Sequence, residues 1–220
     1  GNIEKVGSGA IESATEAVKL CITMVGIMSM WMGFMEVART SGLIRKAEKG
    51  LDPVVSWLFP NIPKNHPALA SITTNIIANI LGLGWAATPA GLKAMEELGI
   101  RPDIISGTSA GAVIAVLYAD GYSPDEILDL FSGLSFNDLA EITLPRSCFF
   151  KIDRFKHFLQ KSLRAVNIED LSIPVVVTAT DLDHGKYVAW RSGEIAERVT
   201  ASCSIPIIFP PVLIDGTHYV

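Results

Sequence analysis

Gly107-Thr108-Ser109-Ala110-Gly111 decides the reading of this chain. It is a G-x-S-x-G pentapeptide between two segments of different character. Asp103-Ile104-Ile105-Ser106 before it is a short β-like run, set off by the turn pair Arg101-Pro102. Ala112-Val113-Ile114-Ala115-Val116-Leu117-Tyr118-Ala119 after it is apolar, with helix-forming ends. Strand, tight turn and helix make a nucleophile elbow, which lifts a serine hydroxyl out at the end of a sheet. Ser109 is then the candidate nucleophile and Gly107 and Gly111 the elbow glycines. A side chain at either glycine is expected to strike the neighbouring strand or helix. The N-terminus of the following helix turns backbone N–H groups and partial positive charge toward the same spot. The plain alternative is a small-residue turn without chemistry; the flanking segments favour the elbow.

Downstream of the elbow the pattern is that of an α/β unit. Ser123-Pro124-Asp125-Glu126 reads as a helix start, with a Ser cap, Pro at the first helical position and acids in the first turn. Residues 152–163 carry Phe155, Phe158 and Leu159 at helical spacing. Ile173-Pro174-Val175-Val176-Val177-Thr178-Ala179-Thr180 is β-branched and uncharged, as a buried central strand should be. A shorter strand is expected over 186–190 and a small helix over 194–202. The stretch 205–212 contains Pro206, Pro210 and Pro211 and is expected as a loop.

Composition narrows the function classes. The 220 residues are 49% hydrophobic and 19% charged, with mean hydropathy +0.37. That is apolar enough to suggest membrane contact or deep burial. The net charge is −5 and no basic tract is present, which gives no basis for a nucleic-acid partner. Cys21, Cys148 and Cys203 are odd in number and widely spaced, and read as ordinary thiols of a reducing compartment. No His, Cys, Asp and Glu cluster has metal-ligand spacing, so neither metal nor cofactor is expected. The chain opens Gly1-Asn2-Ile3-Glu4 without Met or an apolar leader, which suggests a fragment or processed chain and no secretory signal.

Residues 1–98 read differently, as an all-α segment. An uncharged run from 20 to 35 is bracketed by Lys19 and Glu36, a little short for the roughly 20 residues of a spanning helix. A buried, an interfacial or a broken membrane helix would each fit. A second uncharged run, 67–92, holds Thr73, Thr74, Asn75, Asn79, Thr88 and Pro89, more polar groups than a lipid-facing helix would carry. A membrane helix facing a polar cavity, or a discontinuous one, could carry them. Between the runs, Pro53, Pro60, Pro63 and Pro67 mark loops or short turns.

On these motifs residues 99–220 resemble the patatin-like phospholipase family. The block from Gly99 through Gly107-Thr108-Ser109-Ala110-Gly111-Ala112 is similar to that family's nucleophile block, Ala179-Thr180-Asp181-Leu182 to its next core strand, and Ala201-Ser202-Cys203-Ser204-Ile205-Pro206 to the segment leading to its catalytic acid. The resemblance implies a three-layer α/β fold and a Ser–Asp dyad, without histidine, that hydrolyses acyl esters of lipids. Ser109 matches the nucleophile. The family's acid would fall on the residue after Val220; Asp215-Gly216 looks like the acid motif but sits where the family has a turn. The family's glycine-rich oxyanion loop is reduced here to Leu81-Gly82-Leu83-Gly84-Trp85-Ala86. Poor ester turnover by this chain is therefore expected. A Ser–Asp–His triad remains open as an alternative, with Asp181 and His218 the candidates among His157, His184, His218, Asp181, Asp183 and Asp215.

Residues 1–98 resemble a second family, the spore maturation protein A type membrane proteins with a nucleoside-recognition gate domain. Leu58-Phe59-Pro60, Ile62-Pro63-Lys64-Asn65-His66-Pro67, Asn79-Ile80-Leu81-Gly82 and Ala86-Ala87-Thr88-Pro89 carry that likeness, from which Trp85 departs. The two resemblances meet within 91–98, in a helix both families share. The expected organisation is a partial gate-like membrane segment, 1–98, followed by a partial acyl-hydrolase domain, 99–220. The function expected is lipid acyl hydrolysis, against two alternatives: a membrane gate or transport element, and a chimeric fragment without catalysis. A lipid or acyl-ester substrate, membrane association and a cytoplasmic hydrolase half complete the expectation.

Overall fold

The computed structural model describes residues 40–82, 84–132, 134, 136–142, 150–206 and 208–220, with scattered helical positions between 9 and 37. The run at 20–35 and the residues Cys21 and Cys148 lie wholly or in part outside the described residues. The chain divides into two compact units, Gly1–Leu51 and Asp52–Val220. In the first, the described positions are helical or turn.

Helix α1 (Leu43–Leu58) enters the second unit, where α2 (Pro67–Ile80) and α3 (Gly84–Glu97) pack against each other. These two helices hold partners for three polar residues of the uncharged 67–92 run. Asn75 Nδ2 donates to the Ala87 carbonyl at 2.7 Å, Ser71 Oγ to Glu97 Oε2 at 2.7 Å, and Thr73 Oγ1 to the Leu69 carbonyl at 2.8 Å. The polar groups serve the helix pair itself. His66 caps α2, its Nδ1 accepting from the Ala68 N–H at 3.2 Å.

After β1 (Ile105–Thr108) comes α4 (Ala110–Ala119), apolar on every face. A helix of that kind must be covered all round. Residues Ala112 to Ala119 are all buried, with α4 lying against β1 and β4 and meeting α3 and α5. Helix α5 (Pro124–Ser132) opens with a capping box: the Ser123 N–H donates to Glu126 Oε2 at 2.8 Å and the Glu126 N–H to Ser123 Oγ at 3.3 Å. A short helix α6 (Phe136–Leu139), a two-residue hairpin β2 (Glu141–Ile142) and β3 (Phe150–Lys151), and α7 (Asp153–Ser162) follow.

The central strand is β4 (Val175–Asp181), followed by β5 (Lys186–Trp190), α8 (Ile195–Cys203), β6 (Val212–Ile214) and β7 (Thr217–Tyr219). β1 runs parallel to β4, with Thr108 opposite Thr178; β5 and β7 run antiparallel to it. Within a strand, alternate residues aim their N–H and C=O to the same side. Pro174 receives the Ile105 N–H at 2.9 Å, and Thr180 exchanges bonds with Val220 at 2.7 and 3.0 Å. Both are even positions of β4, so β1 and β7 lie end to end along one side of β4 and β5 takes the other. β1 ends opposite Thr178, and the chain leaving β7 reaches Thr180 from the other direction. The fold is the mixed α/β arrangement expected, with helices first and the sheet in the C-terminal half.

Candidate active site

Ser109 stands at φ 52° and ψ −126° between β1 and α4. A residue other than glycine rarely takes a positive φ, and such strain collects at functional sites. Gly107 explains how the turn is made: a Cβ there would lie 2.5 Å from Gly111 backbone atoms. Gly111 differs from the sequence expectation. A Cβ at Gly111 would meet nothing within 4 Å, because this residue sits in the first turn of α4 and faces open space. The crowding runs one way, from the Gly111 backbone onto Gly107.

The serine faces a cavity of about 290 Å³, lined by Val113, Ile114, Phe131, Phe155 and Phe209 among others, with Ser109 and Cys203 at its polar end. Burial pushes the Cys203 thiol pKa up to about 12, against the lowering effect of a side-chain hydrogen bond with Ser109. Three further hydroxyls flank the turn. Thr108 Oγ1 and Thr178 Oγ1 share a short hydrogen bond across the β1–β4 pair, and Ser202 Oγ accepts the Ser109 N–H at 2.8 Å. Nothing in the sequence pattern singled out Ser202; its place is set by α8 packing on β4, a contact between segments far apart in the chain.

The other candidates stand elsewhere. Asp181 closes the β4–β5 turn, accepting the His184 N–H at 3.0 Å and facing His184 Nδ1 at 2.9 Å. His218 pairs with Asp183 instead, its N–H donating to Asp183 Oδ2 at 2.8 Å. That backbone bond is the largest of the influences holding the Asp183 carboxyl below its ordinary range. The structure therefore gives Asp181 and His218 different partners and does not link them to each other. Asp215 and Gly216, at φ 49° and 84°, form the tight turn of the β6–β7 hairpin, and Asp215 is exposed there. Positive φ at both central residues is the type I′ geometry that Asp-Gly favours. Gly82 follows the end of α2 with φ 69°, and Gly84 opens α3, while Leu83 and the Trp85 side chain lie outside the described residues. Among the described residues no His, Cys, Asp and Glu group could hold a metal ion.

Comparison with known proteins agrees with both halves of this picture. The patatin-like phospholipase family model matches residues 82–220, and the nucleoside-recognition gate model matches 21–136, so the two overlap across 82–136. Spore maturation protein A of Bacillus subtilis is 39% identical over 98 residues, 44% of this chain and 50% of that protein. A patatin-like phospholipase domain-containing protein of Caenorhabditis elegans is 32% identical over 184 residues, 74% of this chain and 13% of that protein. Neuropathy target esterase sws of Drosophila melanogaster is 28% identical over 195 residues, 79% of this chain and 14% of that protein. The chain thus spans half or less of the length of these relatives. By these matches the chain belongs to the patatin-like phospholipase family over residues 82–220 and to the nucleoside-recognition gate family over residues 21–136.

Proposed function

We propose that the C-terminal part of this chain is a lipid acyl-ester hydrolase unit with Ser109 as its nucleophile. The observation that carries the reading is a serine held at positive φ between strand and helix, facing an apolar cavity. Ser109 Oγ attacks the ester carbonyl while a carboxylate takes its proton; the ester C–O bond breaks, the alcohol leaves with that proton, and water hydrolyses the acyl-enzyme to release the acid and restore Ser109. The first four N–H groups of a helix lack intrahelical partners, so the first turn of α4 is suited to holding the oxyanion. The Ser109 N–H is already engaged by Ser202, which leaves that task to Ala110 and Gly111. The acid is proposed to follow Val220. In support, β7 runs along the β1 side of β4 toward Thr178, the residue opposite Thr108. Asp215 lies at the other end of the β6–β7 hairpin.

Ester turnover is expected to depend on Ser109 and not on Asp215, which sits in the tight turn of the β6–β7 hairpin. The test is p-nitrophenyl butyrate turnover by the chain beside Ser109→Ala and Asp215→Asn. Turnover that vanishes in Ser109→Ala and survives in Asp215→Asn supports the reading. Turnover lost in both variants would make Asp215 the acid, and no dependence on Ser109 would leave a fragment without catalysis.

A second reading, a membrane-associated gate element, rests on the match of residues 21–136. The boundary between the two parts is proposed within 91–98, in α3. Among the described residues no helix is long and apolar enough to cross a membrane. Surface contact has support of its own: Val54, Trp57 and Leu58 lie three and four residues apart on α1 and are 45%, 78% and 52% exposed. The whole chain should float with phosphatidylglycerol-containing vesicles, and Trp57→Glu should weaken the flotation. A chain that stays at the bottom of the gradient sinks this reading.

A further inference from the structure

The ladder between β1 and β4 breaks one rung early, and a side chain occupies the break. Parallel pairing runs from Ile105 opposite Val175 to Thr108 opposite Thr178. The next rung would join the Ser109 N–H to the Thr178 carbonyl. The dihedral angles of Ser109 swing its backbone off the strand line instead. Ser202 Oγ fills the gap: it accepts the Ser109 N–H at 2.8 Å and donates to the Thr178 carbonyl at 2.6 Å. Ser202 is 8% exposed, so bulk water is a poor substitute for either bond. The other hydroxyls at this end of α8 behave differently. Thr200 Oγ1 returns to the Ala196 carbonyl at 2.6 Å and Ser204 Oγ to the Thr200 carbonyl at 2.9 Å. Of these three, Ser202 alone spends its hydroxyl outside its own segment.

We propose that Ser202 is a positioning residue for the nucleophile: its hydroxyl stands in for the missing rung and fixes the Ser109 backbone in the positive-φ state. This rests on Ser109 being the nucleophile. Backbone strain of that kind persists only where the surroundings over-determine it. Gly107 removes the obstacle to the turn, and Ser202 supplies a restoring contact from a different element. The same bridge fastens the last turn of α8 to the end of β1, so Cys203, the next residue, is held against Ser109. An alanine at 202 would leave a part-buried N–H and a part-buried C=O without their partner and free the turn to relax.

The test reads the Ser109 amide directly, in the whole chain. By amide hydrogen exchange, Ser109 should be protected in the wild type, and the protection should fall at least tenfold in Ser202→Ala while 113–117 keep theirs. Ser202→Thr should retain it. Should Ser202→Ala fail to fold, Ser202→Cys, a weaker hydrogen-bonding side chain, should show the partial loss. Fluorophosphonate labelling of Ser109 is the second readout, expected to fall about 10–100-fold in Ser202→Ala and to stay unchanged in Ser204→Ala. Unchanged Ser109 protection in Ser202→Ala, or equal labelling losses in Ser202→Ala and Ser204→Ala, overturns the proposal. A wild type that exchanges as described but is never labelled at Ser109 sinks the nucleophile reading and leaves the bridge standing.

Discussion

The backbone of Gly111 stands where a side chain on Gly107 would have to go. A Cβ on Gly107 would lie 2.5 Å from the Gly111 carbonyl carbon and oxygen and 2.6 Å from the Ala112 nitrogen. All three are main-chain atoms of α4 or its first turn, so relief requires moving the helix away from β1. Gly107→Ala should cost about 3 kcal/mol or more and abolish labelling of Ser109. Gly111→Ala should do the reverse and stabilise the chain by about 0.5–1 kcal/mol, as alanine replaces glycine inside a helix with free space around it. Urea unfolding of the two variants checks both signs.

The cavity at Ser109 is apolar beyond its mouth, and this fixes how substrates of different chain length should rank. Each methylene accommodated there gains about 0.8 kcal/mol, roughly fourfold in affinity. Labelling by a series of p-nitrophenyl alkylphosphonates should quicken with chain length until the cavity of about 290 Å³ is full, then level off. Ile114→Trp, on the cavity wall, should move that plateau to shorter chains. A rate independent of chain length would show that the acyl group lies elsewhere.

Acid should loosen the start of α5. The Ser123 N–H bond, then the Ser123 hydroxyl bond, lower the Glu126 pKa from its ordinary 4.5. A depressed carboxylate contributes stability above its unfolded pKa and loses it as pH falls through the folded value. The Tm of wild type and Glu126→Gln should therefore differ above pH 4.5 and converge as the solution is acidified below it. A constant gap across that range would mean the capping box does not depend on the charge.

Asn75 joins α2 to α3 through the Ala87 carbonyl, and Gly91 lets the pair come close: a Cβ there would sit 3.1 Å from Asn75 Nδ2. Asn75→Ala should lower stability by about 1–2 kcal/mol, and Asn75→Asp should be worse, since a carboxylate would face a carbonyl oxygen. Thermal unfolding of the two variants, compared with Thr74→Ala on an exposed position of α2, measures the difference.

What the sequence revealed was what neighbours in sequence decide. The strand–turn–helix around 107–111, the Ser-capped helix start at 123–126 and the β-branched strand run of 173–180 are each governed by a few consecutive residues, and each is legible in the sequence. The role of Ser202 was hidden because its two partners lie 93 and 24 residues away, and a serine near a helix end has many local uses. Gly111 was misjudged because collision depends on which way a Cβ faces in the finished helix. In the 67–92 run, polarity was visible but its partner was not: Asn75 answers to a carbonyl 12 residues on, on the next helix.

β4 is met at its even positions by β1, by Ser202 and by Val220, and on its other side by β5. The serine's location is thus referred to a single strand and is not handed along the chain from one element to the next. The 182–185 turn, which leaves β4 and returns beside it as β5, could then grow or shrink across variants without displacing Ser109. A one-residue slip of β4 would be the opposite case. It would exchange the two faces of the strand and misplace every one of those contacts together.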